Sequence, residues 1–155
     1  ENPLSRPNLS GEVEFKNVSF TYPGANEPTL RDLSFQIKPG EKVAILGKMG
    51  SGKSTVARLL AGLYEPDVGS ILIDGVDIRQ IDSADLRRNV GFMLQETWLF
   101  SGSVKENIQM GFVQYSDEHI LEIARLAGVD ECGRQHPAGY DFQLKERGEG
   151  LSGGQ

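Results

Sequence analysis

Cysteine is almost missing from this chain: Cys132 stands alone among 155 residues. A single thiol has no partner for an internal disulfide and fits a reducing compartment, where a buried, inert side chain is its simplest role. Long apolar runs are missing too. No stretch approaches the roughly 20 residues needed to cross a bilayer, and the N-terminus lacks a secretory-signal layout. Positive charge is in deficit, with 16 Lys and Arg against 22 Asp and Glu for a formal net charge of −6. That balance speaks against a general nucleic-acid binder, because phosphate backbones select basic faces. It leaves room for a single nucleotide, which backbone amides and one or two cations can hold.

What is present reads as one soluble domain or a domain with a subdomain. Residues 1–10, ENPLSRPNLS, have the proline and small polar content of a linker or lead-in. From Gly11 the pattern is β-like. Val13 and Phe15 share one parity, while Val18, Phe20 and Tyr22 share the other. A turn or bulge at Lys16-Asn17 would return both sets to one face. Leu33, Phe35 and Ile37 alternate as a strand. Val43 to Leu46 (VAIL) is an uninterrupted apolar run and predicts a strand buried on both faces. Val56, Leu59, Leu60 and Leu63 fall at helical spacing, with Glu65-Pro66-Asp67 as the stop. Asp74-Gly75 suits a hairpin turn. Asp82 or Ser83 can cap a short helix through Arg88, and Val90 to Leu94 predicts another buried strand. Beyond Gln95, Ser103 and Glu106 form a capping-box pattern. Ile120, Ile123, Ala124 and Ala127 mark a second amphipathic helix, which Gly128 terminates. Residues 129–150 carry no strand signal.

The chemistry concentrates at Gly47-Lys48-Met49-Gly50-Ser51-Gly52-Lys53-Ser54, which satisfies G-x-x-x-x-G-K-[ST] between a predicted strand and a predicted helix. Glycines 47, 50 and 52 let the backbone curl so that amides face phosphate oxygens, and the following helix adds its positive end. Lys53 can reach the β- and γ-phosphates, and the Ser54 hydroxyl is placed for Mg²⁺. A plain glycine turn has no need of Lys-Ser after its last glycine. A GTPase would add an N-K-x-D guanine reader, which is absent, and a small-molecule kinase would add a lid and further arginines.

Tyr22, the 47–54 loop, Gln95 and the terminal LSGGQ (Leu151 to Gln155), in that order, resemble the nucleotide-binding domain of ATP-binding cassette (ABC) transporters over nearly the whole chain. ETWLFSGSVKENI after Gln95 and ERGEG at 146–150 are similar to the exporter branch. HPAGYD at 136–141 is similar to transporters that secrete proteins, peptides or toxins. The resemblance implies an α/β fold: a P-loop NTPase core with an antiparallel β subdomain and a partial helical subdomain. It implies a linker at 1–10, an ATP-binding core at 11–95 and helical residues at 96–155. ATP and Mg²⁺ are the implied ligands, held by residues 47–54 and Thr55. Tyr22 would stack on adenine, although spacing alone makes it one more residue of the Val18-Phe20 face. Gln95 would contact Mg²⁺ or the attacking water. Trp98 and Phe100 are equally suited to packing or to a membrane-domain contact, while His119 and His136 read as surface or packing residues.

The resemblance also explains LSGGQ. In the family, two cassettes pack head to tail, and the signature of one closes over the γ-phosphate held by the other. Ser152, Gly153, Gly154 and Gln155 would act in that way on a second cassette. The implied partners are that cassette and a transmembrane domain, at the cytoplasmic face of a membrane, with no nucleic acid. The family's Mg²⁺-binding Asp, catalytic Glu and switch His have no counterpart in 1–155. A truncated segment that binds ATP without hydrolysing it, and that exposes apolar surface, is therefore expected. The alternative is a soluble ABC-class ATPase of DNA repair or translation.

Overall fold

The computed structural model describes residues 4–5, 8–93, 99–110, 115–129 and 136–145. The chain divides into two compact units, residues 1–93 and residues 94–155. Gln95, Trp98, Cys132, residues 146–150 and the signature at 151–155 lie outside the described residues.

The first unit is built on a four-stranded antiparallel sheet ordered β2-β1-β3-β4, with β1 at Val13–Phe20, β2 at Leu30–Ile37, β3 at Val68–Ile73 and β4 at Val76–Asp77. The parity switch in β1 is a bulge: its register with β2 shifts between Phe15 and Val18 and again before Phe20, and Asn17 sits at φ 48. The consequence is the expected one, with Phe15, Val18 and Phe20 all buried. Polar groups at the bulge find side-chain partners. Asn17 N donates to Ser34 Oγ at 2.8 Å, and Asn17 Nδ2 donates to Asp32 Oδ1 at 2.8 Å. Across the bulge, Gly69 on β3 must remain glycine, because a Cβ there would collide with the Lys16 and Asn17 carbonyls. Asp74 and Gly75 both take positive φ between β3 and β4, as a two-residue hairpin turn requires.

Helix α1 (Lys53–Leu60) lays Val56 and Leu59 into the core made by Phe15, Val18, Phe20, Leu30 and Ile71. It stops earlier than its apolar spacing suggests. Gly62, at φ 66, ends it in a Schellman motif, with Leu63 N donating to Arg58 O and Gly62 N to Leu59 O, both at 3.0 Å. Leu63 therefore falls outside the helix and is exposed. Helix α2 (Ser83–Asn89) is capped by Asp82, whose side chain accepts from the amides of Ala84 and Asp85. The lead-in is tied down: Leu4 bridges to Ile81, Ser5 Oγ donates to Asp85 Oδ2 at 2.9 Å, and the amides of Ser10, Gly11 and Glu12 all donate to the Asp74 carboxylate.

Two predicted strands are not there. Residues 43–46 have no regular structure, and Val43, Ile45 and Leu46 are exposed, Leu46 by 91%. Residues 90–93 are likewise irregular, with Met93 exposed; Leu94 lies outside the described residues. A strand consists of paired backbone groups, and no described strand pairs with either run. The apolar surface expected from the sequence is accordingly present at 43–46.

The second unit holds helix α3 (Val104–Gln109) and helix α4 (Asp117–Leu126), with a two-stranded ladder of β5 (Gly102–Ser103) and β6 (Gln143–Leu144). The capping box forms as read: Ser103 Oγ accepts from Glu106 N at 3.0 Å, and Glu106 Oε2 accepts from Ser103 N at 2.6 Å. Helix α4 buries Ile120 and Ala124 and ends at Gly128 in a second Schellman motif. Strand β6 lies in the stretch where no strand was expected. Its Leu144 is buried, but two residues are too short to leave an alternating pattern.

Candidate functional site

The glycine-rich loop runs into α1 where its last glycine turns. Gly50 and Gly52 sit at φ 79 and 89, a left-handed region open to glycine, and Gly52 is the N-cap of α1. A Cβ on Gly52 would lie 2.7 Å from Leu30 Cδ2, so the loop is pressed against β2 there with no room for a side chain. Ser51 N donates to Lys48 O at 3.2 Å and closes a turn inside the loop. Residues 47–52 are thus a loop and not part of a continuous helix.

Lys53, the first residue of α1, folds back over the loop. Its Nζ donates to Gly47 O at 2.9 Å and to Lys48 O at 2.7 Å. An ammonium has three donors and no acceptor, so these two carbonyls leave one donor over. Beside it, Tyr22, Thr29, Gly50, Ser51, Gly52, Lys53, Ser54, Thr55 and Arg58 enclose an open cleft of about 280 Å³. Among the described residues the lining has two cationic side chains and no carboxylate, although the chain as a whole is acidic. With the positive end of α1 at the same place, the cleft is built for an anion.

The loop's residues are not equivalent. Gly50 to Thr55 line the cleft, whereas Gly47 and Lys48 contribute carbonyls to Lys53, and Met49 projects fully into solvent. Ser54 is exposed at the cleft, while Thr55 is buried. The residues fit a triphosphate with Mg²⁺: amides at a helix start, a retractable ammonium, and a free hydroxyl next to it.

Tyr22 is both packed and accessible from the cleft. Its ring packs edge-to-face on Phe20 at 4.9 Å and on Tyr64 at 5.2 Å, yet the side chain is half-buried and lines the cleft. Burial pushes its phenol pKa up, but hydrogen bonds from Thr55 and Arg58, with the Arg58 charge, outweigh this and hold it below the ordinary value. The bond to Tyr22 in turn raises the Arg58 pKa. Arg58 and Thr29 escaped the sequence reading. The available signal for Arg58 was its position three residues beyond Thr55, on the same helix face.

In the second unit, Phe100 is exposed rather than packed, and its backbone exchanges hydrogen bonds with Asn107: Phe100 N donates to Oδ1 at 2.8 Å, and Nδ2 donates to Phe100 O at 2.9 Å. His119 lies against Tyr115, and His136 against Phe142 at 3.9 Å between ring centres. No described helix is long and apolar enough to cross a membrane, and the described residues hold no cluster of metal-ligating side chains.

Known proteins resemble this chain in sequence and fold. The chain is 48% identical over 147 residues to an uncharacterized ABC transporter ATP-binding protein, YfiB, of Bacillus subtilis, covering 95% of this chain and 26% of that protein. It is 47% identical over 149 residues to the cyclolysin secretion/processing ATP-binding protein CyaB of Bordetella pertussis, covering 96% and 21% respectively. Among solved structures, a bacterial Atm1-family ABC exporter with ATP bound superposes with a TM-score of 0.86 at 37% identity, over 99% of this chain and 28% of that one. The chain therefore spans about a quarter of the length of these proteins. The ABC transporter family model matches residues 30–155, from the strand that presses on Gly52 through the loop and onward. With loop, cleft and chain all in agreement, this protein belongs to the ABC transporter family.

Proposed function

We propose that this chain is the ATP-binding part of an exporter, one that couples ATP binding and hydrolysis in the parent protein to transport across a membrane. The observation that carries it is the cleft at the start of α1, where Lys53 is held in reserve on two loop carbonyls. Phosphate oxygens are stronger acceptors than carbonyls, so an incoming triphosphate draws the ammonium off Gly47 and Lys48. The amides of the loop then face the phosphates, and the Tyr22 ring offers a surface to the base. Bound Mg²⁺ supplies neutralisation of phosphate charge. Ser54 would hold it, and Gln95 would contact the ion or the attacking water, as the family resemblance implies.

The exporter reading draws support from the solved exporter of the same fold and from the named secretion protein among the relatives. A protein, peptide or toxin is the cargo that HPAGYD and that relative favour. Ser152, Gly153, Gly154 and Gln155 would act on the ATP of a second cassette packed head to tail, with a transmembrane domain as the further partner. Residues 1–10 serve as the linker, 11–95 as the ATP-binding core and 96–155 as the helical part. Alone, the chain holds ATP without turning it over, since no described carboxylate or imidazole lines the cleft to take a proton from water.

Calorimetric titration with Mg-ATP tests the reading. Lys53→Ala removes a charge-assisted contact and should weaken binding at least about tenfold. Equal affinity in both forms would refute the assignment of the cleft. Phosphate release should stay at background, and a turnover that Lys53→Ala abolishes would overturn the claim that the isolated chain is inactive.

A further inference from the structure

Tyr22, Thr55 and Arg58 form a hydrogen-bonded cluster on one wall of the cleft. Arg58 Nη1 donates to Tyr22 Oη at 3.0 Å, and Tyr22 Oη lies 3.1 Å from Thr55 Oγ1. A guanidinium only donates, so the phenol oxygen accepts from Arg58, while either hydroxyl can donate in the Tyr22–Thr55 contact. Thr55 and Arg58 stand three residues apart on α1 and present one face to the phenol. At the other end, Phe20 and Tyr64 wedge the ring at interplanar angles of 79° and 86°. The plane of Tyr22 is thus fixed by aromatic packing on one side and by two helix side chains on the other. Helix α1 also carries Lys53 and Ser54 in its first turn. One rigid element accordingly sets both the phosphate loop and the aromatic ring.

We propose that Arg58 is a positioning residue: by holding the Tyr22 hydroxyl it keeps the ring at a set distance from the phosphate loop, so that the site prefers a base-bearing triphosphate to bare polyphosphate. The proposal rests on the reading of the cleft as a nucleotide site. It assigns Arg58 no contact with the ligand; the guanidinium acts through the phenol. A swinging ring must be ordered when a base arrives, and that ordering costs affinity. A ring already tethered by its hydroxyl avoids the cost, whereas a polyphosphate has nothing to stack and is indifferent to it.

The test is a double-substitution cycle on this chain, with Tyr22→Phe, Arg58→Gln and the pair, titrated separately with Mg-ATP and with inorganic tripolyphosphate. Each single change should weaken ATP about three- to tenfold, a part of the full worth of a base stacked on an aromatic ring. The pair should be no weaker than the worse single variant, because both remove the same bond. Tripolyphosphate should lose less than about twofold in any of them. Arg58→Lys, which can still donate one bond, should recover part of the ATP affinity. A readout without ligand accompanies these: absorbance titration of the phenols should show one tyrosine ionising at higher pH in Arg58→Gln than in the unsubstituted chain.

Losses that multiply in the pair would overturn the proposal, as they would mean that Arg58 acts on its own. Equal losses for ATP and tripolyphosphate would do the same, reducing Arg58 to a general cation, and so would an unmoved phenol titration. If the unsubstituted chain binds neither ligand, the nucleotide reading itself falls and takes the proposal with it. If it binds both and shows no coupling, the positioning role alone is wrong.

Discussion

Residues 43–46 and helix α1 flank the same glycine-rich loop, and both carry strong apolar signals, yet they end in opposite states. Leu59 of α1 is completely buried, while Leu46 is 91% exposed. The difference lies in where each element finds its hydrogen bonds. A helix satisfies its backbone from residues four positions away, so α1 needs only a capping glycine at each end and an apolar surface to lie on. A strand needs a neighbour. The sheet of the first unit ends at β2, and no described strand takes residues 43–46 as its next member. Hydrophobicity was equal evidence for burial in both places, but it became burial only where the backbone could be paired as well.

The contrast can be tested by substitution. Its largest expected effect is Leu59→Ala, which opens a cavity beneath α1 among Val18, Phe20 and Ile71; a loss of about 3 kcal/mol in urea unfolding is expected. A loss below about 1 kcal/mol would mean that α1 is not seated on the sheet as described.

Asp74 gives a middle-sized effect and a pH signature. Its carboxylate accepts from Ser10, Gly11 and Glu12 amides at 2.6, 3.1 and 3.0 Å, fastening the lead-in to the hairpin. Burial pushes its pKa up, but the hydrogen bonds outweigh this and hold it below the ordinary carboxylate value. A pKa lowered by folding stabilises fully above the unfolded value of about 4, and that stability is lost as pH falls through the folded value. Asp74→Asn, which tolerates the positive φ of the turn, should cost about 1–2 kcal/mol at neutral pH. The gap from the unsubstituted chain should close as the medium is acidified below pH 4. A gap that does not change with pH would remove the carboxylate from this role.

The smallest effect on stability belongs to Leu46→Ser, expected within about 0.5 kcal/mol because the side chain is already in water. The same change should reduce binding of hydrophobic dyes and self-association, since Val43, Ile45 and Leu46 form an exposed apolar run. A strong destabilisation would show that residues 43–46 are buried after all and would break the contrast.

Much of this was legible in the sequence, and what was legible is local. The bulge at Lys16-Asn17, the Asp74-Gly75 turn, the capping box of Ser103 and Glu106, and the stop at Gly128 each depend on a few consecutive residues. So does the phosphate loop, because curling glycines, an ammonium and a helix start need no distant partner. The early end of α1 was legible in principle, since Gly62 interrupts an apolar spacing that otherwise continues to Leu63. Apolar periodicity outweighed the glycine in the reading, and the chain resolved the conflict the other way.

The sequence by itself determined that a phosphate-shaped loop opens a helix here, because each requirement is met within eight neighbouring residues. Only the tertiary structure decided which apolar runs are buried and that Arg58 reaches across to Tyr22, 36 positions earlier. Pairing a strand or bringing two distant side chains to 3.0 Å depends on how elements dock, and no short-range pattern encodes docking.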